Sequence, residues 1–304
     1  MVVKDRKDVR AFVRPTSDYE RLADSGVEFA FGDLRDAGSV ERACEGVDVV
    51  IATANTVAPR LGDTFAEVDD AGYRTLIDAA VEAGVHQFVY LSVPDTPYDN
   101  QVPAFRAKRV NERRLRESEM TYTIIRASLF MENWLALIGS SIPTRGSEAA
   151  TLNRPYRFLR TFRQATGQLV ENRGIALIPG TEQTRHSFIA INDVATFVVA
   201  CVDDPDAENR VYEIGGPEAL SWAEVVERYE RVLDRDLRVV RIPAAVYAVQ
   251  QLVLGLGSTA AANIMGMNRI VATTNTVYDS TEAERLIGRP LVTVEEFLRS
   301  KVEM

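Results

Sequence analysis

FRAKRVNERRLRESEMTYTIIRASLFMEN, residues 105–133, decides the fold of this chain. Residues 105–118 predict a helix. Arg, Lys and Glu cover most of it, and Val110 and Leu115 are the apolar positions expected to face inward. Residues 121–126, TYTIIR, form a short β-branched run, which predicts a strand covered on both faces. Residues 126–133 then lie just past the carboxyl end of that strand. In open parallel sheets this is where ligands bind. We expect Lys108 to point at a ligand there and the loop after Arg126 to line its pocket.

Working outward, strands and helices alternate. Residues 8–13, 27–31, 47–52 (VDVVIA) and 88–91 predict strands. Between them, residues 19–23, 40–44 and 65–83 predict helices, with Asp36 as a cap for the second and Gly84 as the stop of the third. Such alternation means βαβ units and a parallel, doubly wound α/β sheet of Rossmann type. After Asn133 the pattern changes. A loop over 143–153 and a helix over 156–170 are expected, then a strand over 187–191. Asn192 or Asp193 would cap a helix over 194–202, and a strand over 211–214 ends in Gly215-Gly216. Ser221-Trp-Ala-Glu224 and Thr293-Val-Glu-Glu296 fit the capping box, and each predicts a helix start. We expect residues 1–135 to form the sheet domain. Residues 136–304 would form a smaller α+β lobe, with about 187–216 returning to the sheet.

Composition narrows the function. A net charge of −9 and a pI near 5.0 argue against a general nucleic-acid binder. The two histidines, His86 and His186, and the two cysteines, Cys44 and Cys201, form no metal-binding pattern. Two widely spaced cysteines suit a reduced, cytoplasmic protein better than a disulfide scaffold. No apolar run is long enough to span a bilayer. Residues 242–267 are apolar enough to cover a pocket or a partner; pocket cover or core is the expectation. Arg154, Arg157, Arg160 and Arg163 recur every three residues, either as a solvated helix face or as a surface for an anionic partner.

A sheet of this class normally opens with a central strand and a glycine-rich turn that holds a pyrophosphate at a helix N-terminus. No such glycine pattern occurs near Met1, and the first strand ends in Arg14, as a second strand would. We expect that roughly 20 to 30 residues, about one βα unit, lie upstream of Met1 or have been lost. The alternative is that residues 1–3 or another segment fill the gap. At the end of a second strand, Arg14 could clamp a ribose 2′-phosphate, with Thr16 beside it, or it could be a solvated arginine before a proline. Ala52, Thr53, Ala54 and Asn55 follow the fourth strand of such a sheet. Small side chains there admit a cofactor to the backbone, or they pack closely.

With these residues laid out, the chain resembles the NmrA-like family of atypical short-chain dehydrogenases/reductases. The likeness rests on Val13-Arg14-Pro15, Gly26-Val27 through Gly32-Asp33-Leu34, Gly46-Val-Asp-Val-Val50 and Asp78-Ala-Ala-Val-Glu-Ala-Gly84. It continues in Phe88-Val-Tyr-Leu-Ser92, Tyr122-Thr-Ile-Ile-Arg126, Phe130-Met-Glu-Asn133 and Tyr212-Glu-Ile-Gly-Gly-Pro217. The resemblance implies NADP(H) in preference to NAD(H), and either a reductase of a small molecule or a non-catalytic redox sensor, regulator or assembly factor with a protein partner. It implies that Asp33 and Leu34 meet the adenine edge. Ser92 and Lys108 are implied as the residues nearest the chemistry, with Lys108 on the nicotinamide ribose. Arg126 and Ser128 lie on the loop beside the nicotinamide, and Phe130, Met131, Asn133 and Trp134 in the substrate pocket. Those apolar residues could equally be core between the lobes. The tyrosine that serves as proton donor in related dehydrogenases would stand four residues before Lys108, where this chain has Ala104. His186 could act as an acid or base beside Ser187, or be structural.

Overall fold

The computed structural model describes residues 8–17, 19–56, 62–146 and 166–304. The expected arginine row at 154–163, the loop over 147–153 and most of the helix over 156–170 lie outside them. Strand β1 (Arg10–Val13) pairs in parallel with β2 (Glu28–Phe31), joined through the short helix α1 (Glu20–Ala23). Helix α2 (Ala37–Cys44) leads to β3 (Val49–Ala52). A π-wound segment, Phe65–Gly72, runs into helix α3 (Tyr73–Glu82) and β4 (Gln87–Ser92). Helix α4 (Pro103–Glu117) feeds β5 (Thr121–Ala127), and β8 (Arg210–Ile214) returns from the second half of the chain to pair beside it. The four-stranded sheet has the order β3-β4-β5-β8 and is wholly parallel.

Both faces of this sheet are covered, as βαβ crossovers require. The period-two alternation of a strand assigns each side chain to one side. Phe88, Tyr90 and Ile124 pack with Val40, Tyr73, Ile77 and Leu115 from α2, α3 and α4. Val89 and Ile125 turn to the opposite face. They meet Val194, Phe197 and Cys201 of α7 (Ile191–Asp203) and Ala283 of a later helix. Cys44 and Cys201 are both buried and free. The pair β1-β2 is hydrogen-bonded only to itself among the described strands, although Phe12 shares the core of α2 and α3.

In the second half, β6 (Ile175–Pro179) pairs in parallel with β10 (Arg238–Ile242), and β7 (Arg185–Ser187) runs antiparallel to β9 (Ala219–Ser221). Helix α8 (Trp222–Leu233) starts at Ser221, and the last helix, Val294–Val302, starts at Thr293. Both expected capping boxes form in full, with side chain and backbone exchanging bonds at each. Phe188, Trp222 and Tyr229 fill the core beneath them.

Three local expectations are corrected. Asp36 stands at the N-cap of α2, but its side chain makes no capping bond. Asn192 and Asp193 lie inside the first turn of α7. The Asp193 carboxylate is drawn away to Arg289 and the Val292 amide. The strand expected over 187–191 is shorter and earlier, and Ile189 makes only an isolated bridge to Phe130.

His186 illustrates how the lobe is held. Its ring is fully buried and lies 5.9 Å from Trp222. Nε2 donates to the Val271 carbonyl at 3.1 Å, so Nδ1 accepts from the Thr276 hydroxyl at 2.8 Å. Burial pushes its pKa down to about 4, from 6.5. Between those values the unfolded chain binds the proton and the fold does not, so stability falls as pH drops from 6.5 to 4. Urea unfolding should show the wild type losing ground to His186→Gln across that window, by at most about 3 kcal/mol. A constant difference would mean that His186 is already charged in the fold.

Candidate functional site

The carboxyl ends of β3, β4, β5 and β8 lie side by side in the parallel sheet, and α4 packs against β4 and β5. The inward face of α4 is more polar than its sequence suggested. Ala104, Phe105, Ala107, Lys108, Asn111, Glu112 and Leu115 are buried, whereas Val110 is only half-buried. Lys108, Asn111 and Glu112 share this face because three- and four-residue steps return to the same side of a helix.

Each buried polar group has partners. The Lys108 ammonium donates to the Leu91 carbonyl at 2.7 Å and lies 4.5 Å from the centre of the Tyr90 ring. Burial pushes its pKa down to about 8, against the pull of Asp69 and Glu112. Asn111 donates to the Asp69 carbonyl and to the Tyr90 hydroxyl. Burial raises the Asp69 carboxyl above its usual range, although Thr56 bonds to it through both amide and hydroxyl. The Tyr73 hydroxyl donates to the Ala54 carbonyl at 2.6 Å and so fixes the turn after β3.

Glu112 gathers the far side of the floor. It accepts from the Ser92 hydroxyl at 2.6 Å, from Arg126 Nη2 at 2.7 Å and from Arg109. Burial alone would raise its pKa, but bonds from Arg126 and Ser92 and the Arg109 charge outweigh it, and the carboxyl is held below its ordinary value. Arg126 also reaches Glu213 at 3.2 Å and Asp95 at 3.5 Å. Ser92 is therefore a donor to Glu112, and Arg126 stands among three carboxylates.

A second charged cluster sits at the ends of β1 and β2. Arg14 donates through Nη1 to both oxygens of Asp63, at 2.9 and 3.0 Å. Asp33 binds Arg35 at 2.7 Å, and the bonds from Arg35 hold its carboxyl down to about 2. Thr16 is exposed beside Arg14, and Leu34 is half-buried. A side chain at Gly72 would meet Leu34 at 2.9 Å, so glycine lets the π-wound segment close on this loop. Ala52 is buried, Thr53 and Ala54 are exposed, and Asn55 is half-buried.

Beyond β5, the Ser128 amide donates to the Ile214 carbonyl, and the side chain is buried beside Thr276. Phe130 is half-buried and packs with the core on the α7 face. Met131 is fully buried in the core of the second lobe, and Trp134 packs against it. Asn133 is half-buried. The structure thus brings Ser92, Lys108 and Arg126 to one floor and sets Arg14 and Asp33 apart from them. Sequence reasoning missed Asn111, Glu112, Asp69 and Asp63. The signal for the first two was available as Lys108-x-x-Asn111-Glu112 on one helix face. The aspartates meet their partners only through tertiary structure.

A parallel sheet covered on both faces, with polar and charged side chains gathered at its carboxyl ends, defines a Rossmann-type α/β protein. The NmrA-like family model matches residues 1–298, and the chain belongs to that family. It is similar to the NAD(P)H azoreductase of Xenophilus azovorans, 26% identical over 294 residues, covering 96% of this chain and 88% of that protein. It is also 26% identical over 238 residues to the photosystem II assembly factor Ycf39 of Cyanophora paradoxa, covering 78% of this chain and 64% of that relative's length. Among solved structures, the NADPH complex of the quinone oxidoreductase QOR2 from Escherichia coli shares the fold. The TM-score is 0.72 at 19% identity, over 100% of this chain and 94% of the other. No described helix is long and apolar enough to cross a membrane.

Lys108 gives a test of the floor. Its pKa is about 8 in the fold and 10.5 when exposed, so between these values the unfolded chain holds the extra proton. Stability of the wild type should therefore rise relative to Lys108→Met as pH goes from 8 to 10.5. Chemical denaturation at a series of pH values measures this. A gap independent of pH would mean that the ammonium is not buried as described.

Proposed function

We propose that this chain binds NADP(H) along the carboxyl ends of the strands and passes hydride to a small organic substrate. The observation that carries the reading is Arg14. It follows β1, uses a single nitrogen on Asp63 and keeps 29% of its side chain exposed, and with β1 read as the second strand of such a sheet it would clamp a ribose 2′-phosphate. Asp33 and Leu34 would meet the adenine edge. Thr16 would flank the phosphate, and Ala52, Thr53, Ala54 and Asn55 would border the cofactor backbone. Lys108 spends one of its three donors on Leu91 and would hold the nicotinamide ribose with another. Arg126 and Ser128 border the nicotinamide side, and Phe130, Asn133 and Trp134 the substrate side. No described strand of the four-stranded sheet runs through a glycine-rich turn into a helix N-terminus, so these residues fit the two ends of the cofactor rather than its pyrophosphate. The azoreductase relative and the quinone oxidoreductase neighbour support a redox role. We place the division between sheet domain and substrate lobe near residue 135, and the protein in the cytoplasm.

A second reading has one observation in its favour. Ala104 stands where a proton-donating tyrosine would be, and Ser92 is committed to Glu112. A protein that binds NADP(H) without turnover and acts on a protein partner would carry these features, in line with the assembly-factor relative.

Fluorescence titration decides the cofactor and substrate screening decides the reading. NADPH should bind more tightly than NADH, and Arg14→Gln should remove roughly 10- to 100-fold of that preference, the worth of a charged hydrogen-bonded pair. Oxidation of NADPH with quinones, azo dyes, aldehydes or enones would support the enzyme; binding without oxidation would support the sensor. A folded chain that binds neither nucleotide would overturn both.

A further inference from the structure

The one large apolar surface the described chain leaves uncovered lies on a helical hairpin, α9 (Ala244–Gly255) followed by α10 (Thr259–Thr273). Residues 242–268 hold no charged side chain, in a protein that is 26% charged. Pocket cover or core is the expectation for this stretch, and α10 is largely buried. Asn263 is fully buried, and its side-chain oxygen accepts from the Ala104 amide at 2.9 Å. Gly266 closes on Val102, and Ile270 packs with Phe105. Helix α10 thus roofs the N-terminal end of α4. Helix α9 corrects that expectation. Its inner face, Ala244, Tyr247 and Leu254, packs on Ile264 and Met265 of α10. Its outer face is largely left open among the described residues. Val246, Val249, Val253 and Leu256 are 40, 61, 57 and 87% exposed, and Leu252 beside them is 74% exposed.

We propose that this outer face pairs with the same face of a second copy of the chain. The four residues follow one another at steps of three, four and three, the spacing of a coiled-coil seam. Val246 and Val253 fall at one seam position, where β-branched residues favour two-stranded pairing, with Val249 and Leu256 at the other. A seam of this kind matches itself across a two-fold axis. The protein carries a net charge of −9, so two copies repel over most of their surfaces. A charge-free face is where they meet without bringing like charges together. A lipid surface fits less well, because a helix that lies on a membrane carries basic residues along its edges and α9 has none. The five side chains expose roughly 500 Å² per copy, the size of the largest apolar patch on a typical monomer, which is often a functional one, and about 1,000 Å² would be buried in the pair. That area sits at the weak end of specific interfaces. The pairing would brace the roof over α4 from outside.

Sedimentation equilibrium on the full chain, from about 1 to 200 µM, tests the proposal. The wild type should pass from monomer to dimer across the range. Leu252→Glu and Val249→Lys introduce charge of opposite sign on the exposed face, and each should weaken the dimer about tenfold or more, because the charge would be buried unpaired. Both positions are exposed, so melting followed by circular dichroism at about 1 µM, the monomer end of that range, should be unchanged in both variants. A wild type that stays monomeric throughout overturns the proposal, whether or not it binds lipid vesicles. So does a dimer that survives both substitutions.

Discussion

The buried carboxylate of Glu112 ties the strand ends to α4. It is 3% exposed and takes Ser92 from the end of β4, Arg126 from the end of β5 and Arg109 from its own helix. Through Arg126 it reaches Glu213 on β8, and through Arg109 it reaches Asp99 and the carbonyls of Val93 and Pro94. An isolated carboxylate this deep would be neutral or would destabilise the fold by several kcal/mol. Here every neighbour is a donor, and the charge is kept. The strand ends are therefore fixed relative to α4 by ionic bonds as well as by packing.

The same helix face carries Lys108 in a different environment. Its ammonium rests between the Leu91 carbonyl and the rings of Tyr90 and Tyr73, and burial lowers its pKa. A single turn of helix thus presents one anchored anion and one cation near its titration point. In the proposed function Lys108 is the group placed for the ribose, while Glu112 and its partners hold the frame. Arg14 and Asp33, at the ends of β1 and β2, belong to a separate cluster in which Arg14 and Arg35 each meet both Asp63 and Asp33.

Much of the fold was legible because it rests on local chemistry. The β-branched run at Thr121–Ala127, the stop at Gly84 and the two capping boxes depend on neighbours in sequence, and each formed where its residues stood. Asp36 and Asp193 show where local reading ends. Both have the right residue type beside a helix start. Asp193 is instead claimed by Arg289, 96 residues away. The site was legible as an address, the carboxyl ends of the strands, and less so as a set of contacts. Treating α4 as a charged surface helix with two apolar positions hid the polar face that the π-wound segment and the strand ends satisfy. The apolar stretch at 242–268 could not be divided by composition. Only packing separates α10, which covers α4, from the outward side of α9.

The central claim is that a phosphorylated nucleotide lies across both clusters, from the end of β1 to the floor made by α4. Hydrogen exchange with and without saturating NADPH tests it most directly. The account predicts slowed exchange at residues 14–17, 33–35, 52–56 and 126–130 together, with weaker protection at 14–17 when NADH replaces NADPH. Protection confined to other surfaces, or none at saturating nucleotide, would contradict it.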